Sequence, residues 1–182
     1  MAIAAARRAW ARRIAVALAG GIGPFPAADI ALDGFAEQAL DDAPAVEVEE
    51  MLASALAEGR MVDRQAGQTR TGPHRTDLAV RHVDRDAPAA QCSTGEQKAL
   101  LIALVLADAR MQRAERGIVP VLLLDEVAAH LDRDRRLALF DEIEGLGGQA
   151  WMTGTDRDQF AGFGPRAQHF EVQESAIRPM DG

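Results

Sequence analysis

The chain has 182 residues, of which 48% are hydrophobic and only 4% aromatic, and its formal net charge is −8. This length suits one domain, or one domain with an appendage, and the acidic balance excludes a binder of nucleic acid that is basic over its whole surface. No apolar run reaches the roughly 18 residues of a membrane span, and the lone cysteine, Cys92, excludes an intrachain disulfide and favours a reducing compartment such as the cytoplasm.

The first third of the chain is predicted to be mainly helical. Residues 2–19 have the pattern of an amphipathic helix that begins without a cap, as in a cut through a longer helix, with an organelle-targeting peptide as the alternative. Gly20–Asp29 is a glycine- and proline-rich loop, and residues 30–42 form either a short strand or a broken helix. A second helix is expected from Ala45 to Asp63. Its apolar stripe would comprise Val46, Met51, Leu52, Leu56 and Met61.

From Gln65 onwards short strands and helices alternate. Asp77–Val83 alternates in polarity, as a half-buried strand does. A strongly apolar helix is predicted from Ala99 to Arg116, followed by the continuous apolar run Val119–Leu124, which is typical of a strand in a parallel sheet. The later elements are a helix at Arg133–Leu146 and strands in QAWMTGT and QHFEVQ. This order predicts an α/β layered fold.

Two carboxylates, Asp125 and Glu126, directly follow that apolar run. Open α/β sheets bind ligands at the carboxyl ends of their strands, so Asp125 would hold Mg²⁺ and Glu126 would polarise an attacking water. A strand that simply ends in a polar turn is the alternative. Further along, Asp132 has the position of an N-cap for the next helix.

The segment STGEQK, Ser93–Lys98, lies at the start of the apolar helix. Ser93 with Glu96 three residues later is the pattern of a capping box. A glycine-containing helix N-terminus also offers free amides and a positive dipole end to a phosphate. Since Ser93 cannot fully cap the helix while it binds a phosphate, the box would be the resting state of a site that opens towards a nucleotide.

The loop that cradles phosphates in many ATPases is not in this sequence. That loop has the form G-x-x-x-x-G-K-[ST], whereas the only lysine, Lys98, is followed by Ala99. The chain alone is therefore expected neither to bind ATP tightly nor to hydrolyse it.

Together these motifs resemble the C-terminal lobe of ABC-type, SMC-like ATPase heads. The segments TGPHRTDL, CSTGEQKALLIALVLA, VLLLDEVAAHLD and WMTGTD resemble the RecF family in particular, over about residues 65–160. The resemblance implies a mostly parallel sheet with flanking helices for residues 65–182, preceded by a partial helical arm region at residues 1–64. It also implies that the chain is a fragment of a longer ATPase.

The resemblance implies a role for each motif. Asp125 would be the metal ligand and Glu126 the catalytic residue of the Walker B pair. The signature, which contacts ATP held by the other subunit of a homodimer, would be Ser93, Thr94, Gly95 and Glu96. The D-loop at the dimer seam would be Ala129, His130, Leu131 and Asp132. Thr153 and Thr155 lie where transporter ATPases have a switch histidine, and are candidates for sensing the γ-phosphate.

The cofactors and partners implied by the resemblance are those of gap repair. The cofactors are ATP and Mg²⁺, and the partners are gapped and duplex DNA, RecO and RecR. The implied activity is the loading of recombinase during repair, replication and the SOS response. No contact with a membrane is implied. Glu96 stands where transporters have glutamine, which favours a DNA-repair ATPase. The alternatives are a non-catalytic binding module and a lobe of another SMC-like or ABC-type ATPase.

Two basic groups have two explanations each. His74 and Arg75 either contact a phosphate or form a turn before a strand, with Arg75 paired to an acid such as Asp77. The arginines of the first helix either contact DNA phosphates or form a solvated face; they are Arg7, Arg8, Arg12 and Arg13. Finally, without the other half of the head, apolar surface on the Ala99–Arg116 helix and the central strand would be exposed and prone to self-association.

Overall fold

The computed structural model describes residues 1–180, except for the side chain of His130. Within these residues the α-helices are α1 (Ala2–Ala19), α2 (Phe35–Asp42), α3 (Ala45–Ala66), α4 (Thr94–Arg116) and α5 (Arg133–Leu146). The strands are β1 (Ala28–Asp33), β2 (Asp77–His82), β3 (Ala87–Pro88), β4 (Leu122–Leu124), β5 (Ala150–Met152), β6 (His169–Gln173) and β7 (Ala176–Met180). Short 3₁₀ segments lie at Pro73–Arg75, Ala89–Gln91, Val127–His130 and Arg157–Arg166.

The strands form three small sheets. β1, β2 and β3 pair antiparallel in that order, β4 and β5 pair parallel, and β6 and β7 form an antiparallel hairpin. The predicted α/β class, with a parallel sheet and flanking helices, is confirmed. Parallel pairing is confined to β4 and β5 among the described strands, so less of the sheet is parallel than the sequence predicts.

The core lies between α1, α4, α5 and the strands β1 and β4. The side chains of Ile14 and Leu18 from α1 pack into one cluster with Leu106 of α4 and with Leu139 and Phe140 of α5. Helix α4 is the centre of this core, because it contributes more buried residues to the cluster than any other element. They are Ala99, Leu100, Ile102, Ala103, Leu106, Ala107, Ala109 and Met111.

The predicted arm region contributes to the same core. β1 pairs with β2 along its whole length, from Ala28 opposite His82 to Asp33 opposite Asp77. The indole N–H of Trp10 donates to Asp108 Oδ1 at 2.8 Å, which ties α1 to α4. The division after residue 64 stays a prediction, although the pairing of β1 with β2 crosses it.

The predicted apolar stripe of α3 is not buried, apart from the partly buried Leu52. α3 packs mainly on α2, and its inward face is the row Val48, Leu52, Ala55 and Gly59. Val48 is fully buried, whereas the side chains of Val46 and Met61 are largely exposed. The prediction was wrong because the contact with α2 selects a face of α3 that the spacing of large side chains does not reveal.

Several boundaries also differ from the prediction. Residues 30–42 contain both alternatives, the end of β1 and the helix α2. α4 begins at Thr94, directly after the predicted Ser93 cap and before the predicted apolar stretch Ala99–Arg116. β4 is shorter than Val119–Leu124, since Pro120 has no N–H to give to a ladder.

The strand β7 was not predicted. Its hairpin with β6 turns through Glu174 and Ser175, both with positive φ, of 48° and 63°. Such two-residue turns usually contain asparagine or glycine, so the sequence lacked the usual turn signal. None of the helices described here is both long enough and apolar enough to pass through a bilayer.

Candidate functional site

Asp125 and Thr153 lie next to each other at the carboxyl ends of β4 and β5. Leu124 is opposite Met152 in the parallel register, and the Thr153 N–H donates to the Leu124 carbonyl oxygen at 3.1 Å. The residues that follow the two strands are therefore neighbours. Asp125, Glu126 and Thr153 are all exposed, so a ligand has access to them.

The Thr153 hydroxyl connects both carboxylate residues. It accepts the Glu126 backbone N–H at 3.1 Å and donates to Asp125 Oδ1. Glu126 has φ +50° and ψ +21°, the left-handed region that residues other than glycine rarely adopt. The hydrogen bond from its N–H stabilises this uncommon conformation and fixes where the Glu126 side chain leaves the backbone.

Gly154 allows the segment after β5 to approach this site closely. A Cβ atom at Gly154 would lie 2.8 Å from Gln159 Oε1 and 2.8 Å from the Phe160 ring. A larger residue would push the 3₁₀ segment away from the end of β5. Thr155 lies in the bend that follows, exposed, and its hydroxyl has no hydrogen-bond partner among the described residues.

The donor set at the end of β4 fits Mg²⁺. The described residues contain no group of three or more His, Cys, Asp or Glu side chains that could hold a metal. Mg²⁺ is commonly bound through one or two carboxylates, with phosphate oxygens and water completing the shell. Exposed hard oxygens on Asp125 and Glu126 match that pattern, and Asp125 Oδ2 has no hydrogen bond within residues 1–180.

The segment predicted as the signature forms the predicted capping box. The Ser93 N–H and hydroxyl donate to Glu96 Oε2 at 2.9 and 2.8 Å, and the Glu96 N–H donates to Ser93 Oγ at 3.4 Å. Arg85 Nε lies 2.5 Å from Glu96 Oε1. Hydrogen bonds from the Ser93 backbone and hydroxyl, together with the charge of Arg85, lower the pKa of Glu96.

Gly95 leaves the beginning of α4 open. A Cβ atom placed on it would meet no heavy atom within 4 Å, and Ser93 and Thr94 are exposed. The amides of this first turn can therefore be reached from solvent. The contact between Arg85 and Glu96 could not be predicted from the sequence, because Arg85 lies 11 positions before Glu96, in a turn after β2.

The segment predicted as the D-loop is anchored at both ends. Ala128 and Leu131 are buried, and Asp132 Oδ1 accepts the Arg135 N–H at 2.8 Å, so the predicted N-cap is confirmed. Ala129 is exposed between them. The side chain of His130 is outside the described part of the chain.

The two basic groups are largely engaged within the chain. His74 Nε2 lies 2.8 Å from the Thr69 carbonyl oxygen, while Arg75 is exposed and forms no ion pair within residues 1–180. On α1, Arg7, Arg8 and Arg13 pair with acids on other elements. These pairs favour a structural role for most of the α1 arginines over contacts with DNA.

The fold is that of solved ATPase heads. The recombination mediator protein RecF bound to ATP aligns with a TM-score of 0.70 over 97% of this chain and 46% of its own, at 19% identity. The SMC head bound to the C-winged helix domain of ScpA gives 0.50 over 95% of this chain and 42% of its own, at 16% identity. The chain thus has the fold of a lobe of an ABC-type ATPase head.

Sequence comparison specifies the family. No protein-family model matches the chain. It is 56% identical over 154 residues to the DNA replication and repair protein RecF of Rhizobium rhizogenes, covering 85% of this chain and 41% of that protein. For RecF of Mesorhizobium japonicum the identity is 50% over 183 residues, covering 100% and 48%. The chain belongs to the RecF family, and it spans less than half the length of these relatives.

Proposed function

We propose that this chain is the C-terminal part of a DNA-repair ATPase that binds ATP at the seam of a homodimer. The whole protein would bind gapped and duplex DNA in the cytoplasm and, with RecO and RecR, load recombinase during recombinational repair, replication and the SOS response. The observation that carries this proposal is that Asp125, Glu126 and Thr153 lie together at the ends of parallel strands. The sequence identity of the chain to RecF proteins, 56% and 50% for the two relatives above, supports it.

In this proposal the two carboxylates have different roles. Asp125 would hold Mg²⁺ through Oδ2, and the ion would supply positive charge against the phosphates. Glu126 orients and accepts a proton from the attacking water. Thr153 and Thr155 are the candidates for sensing the γ-phosphate.

The beginning of α4 contacts the nucleotide that is bound by the partner subunit. There Ser93, Thr94 and Gly95 present amides and hydroxyls to the γ-phosphate, with Ala129–Asp132 at the same seam. Ser93 must give up its bonds to Glu96 for this contact. Arg85 keeps an ion pair with Glu96 and so gives the released carboxylate a partner.

This arrangement makes a prediction for the isolated chain. Because the sequence has no phosphate-binding loop, the chain does not turn over ATP on its own, but it supplies a signature to a protein that has such a loop. We expect it to associate with full-length RecF of Mesorhizobium japonicum when ATP and Mg²⁺ are present, and to dissociate without nucleotide. Sedimentation velocity of the mixture measures this association.

Gly95→Gln is the variant that tests the site. Gly95 has open space around it, so the variant folds, while its side chain blocks the approach of a phosphate; we expect at least a tenfold loss of nucleotide-dependent binding. Gly145→Gln is the matched control, because Gly145 is also an exposed helical glycine with nothing within 4 Å of its Cβ position. Equal binding by both variants, or binding that ignores nucleotide, would contradict the proposal.

A further inference from the structure

We infer that Thr153 is a positioning residue for Asp125 and Glu126, and that its hydroxyl does not itself contact a phosphate. The consequence for ATP rests on the proposed function, whereas the positioning itself is a property of this chain. Thr155 is then left as the residue with a hydroxyl available to the γ-phosphate.

The hydrogen-bonding capacity of Thr153 supports this role. A threonine hydroxyl has one proton to donate and two lone pairs that accept. Its proton is directed to Asp125 Oδ1, and one lone pair accepts the Glu126 N–H. Because its single proton is donated to Asp125, the hydroxyl cannot also donate to a phosphate oxygen.

The two bonds determine different properties of the site. The bond to Oδ1 leaves Oδ2 of Asp125 as the oxygen available to a cation. The bond from the Glu126 N–H holds Glu126 at φ +50°, a conformation that the residue would otherwise leave readily. Thr153 therefore sets the relative placement of the two carboxylates, although β4 and β5 are separate in sequence.

Threonine is well suited to this position. Its backbone N–H extends the ladder by donating to the Leu124 carbonyl oxygen at 3.1 Å, which fixes its Cα beside Asp125. Branching at Cβ restricts χ1, so the hydroxyl is held in the direction of both partners. Serine can make the same two bonds with a freer side chain.

The test uses the chain itself and measures two properties of the Glu126 backbone, its amide hydrogen exchange and its HN–Hα coupling. Thr153→Val keeps the shape and removes the hydroxyl, and it should speed amide hydrogen exchange of the Glu126 N–H by roughly five- to tenfold, as expected for one lost hydrogen bond. The Glu126 three-bond HN–Hα coupling should change as well, because φ leaves the left-handed region. Thr153→Ser should restore most of the protection and the coupling.

Thr155→Val is the control, since it removes a nearby hydroxyl that bonds to neither carboxylate residue. It should leave the exchange rate and the coupling of Glu126 unchanged. Thr153→Val with unaltered exchange and coupling, no recovery in Thr153→Ser, or an equal change in Thr155→Val would each overturn the inference. These readouts involve no nucleotide, so failure of the association experiment with Gly95→Gln would count against the proposed function alone.

Discussion

At the scale of single residues, Ser93 and Glu96 carry both a structural and a proposed functional role. Their box closes the first turn of α4, which is the central helix of the core. An N-cap of this kind typically stabilises a helix by about 0.5–2 kcal/mol. The proposed phosphate contact therefore competes with a hydrogen-bond network that stabilises the chain when no nucleotide is bound.

The box predicts a pH dependence of stability. The pKa of Glu96 is lowered below its usual value of 4.5 by hydrogen bonds from Ser93 and by the charge of Arg85. A lowered pKa in the folded state means that ionised Glu96 stabilises the chain above pH 4.5, and that this contribution is lost as the pH falls further through the lowered pKa. Urea unfolding of wild type and Glu96→Gln should therefore give free energies that differ at pH 7 and converge well below pH 4.5.

Glu50→Gln is the control for this experiment. Glu50 lies on the exposed surface of α3, so the variant removes one negative charge without touching the box. A difference between wild type and Glu96→Gln that is the same at pH 3 and pH 7 would show that the box does not depend on ionised Glu96.

At the scale of elements, β4 has two faces with different surroundings. Leu122 is 7% exposed and belongs to the core, whereas Leu123 is 76% exposed. Leu122→Ala should lower the free energy of unfolding by about 2–5 kcal/mol, the usual cost of such a cavity. Leu123→Ala, the matched control one residue away, should change it by about 0.5 kcal/mol or less. Similar losses for both variants, measured by urea unfolding, would mean that the faces are assigned incorrectly.

Elements with strong local signals could be predicted from the sequence, and those fixed by distant contacts could not. The caps at Ser93 and Asp132 lie within a few residues of the helices that they begin. The buried face of α3 depends on α2, and the register of β1 depends on β2, about 50 residues away. The adjacent carboxylates Asp125 and Glu126 and the segment STGEQK located the candidate site in the sequence. The hydrogen bonds of Thr153 with Asp125 and Glu126 could not be predicted, because they depend on the pairing of β4 with β5.

At the scale of the whole molecule, the outer face of β4 and β5 is apolar and exposed. Leu123 is opposite Trp151, which is half exposed and whose ring centroid lies 6.3 Å from that of Phe170. Both faces of a parallel sheet are normally covered. Apolar exposure was expected on α4 as well; most of the apolar residues of α4 are buried, whereas Leu101 is exposed. The chain spans less than half the length of its relatives, and in those relatives we expect the part outside the match to cover the corresponding face.

The proposed function depends most on contact between the start of α4 and a nucleotide held by another molecule. A photoreactive ATP analogue with its reactive group on the γ-phosphate tests this contact directly in a mixture of the chain with full-length Mesorhizobium japonicum RecF. Trypsin releases residues 86–98, which hold Ser93, Thr94, Gly95 and Glu96, as one peptide between Arg85 and Lys98. We predict that this peptide is labelled only when the full-length protein is present. Equal labelling of the chain alone, or labelling confined to other peptides, would contradict the account.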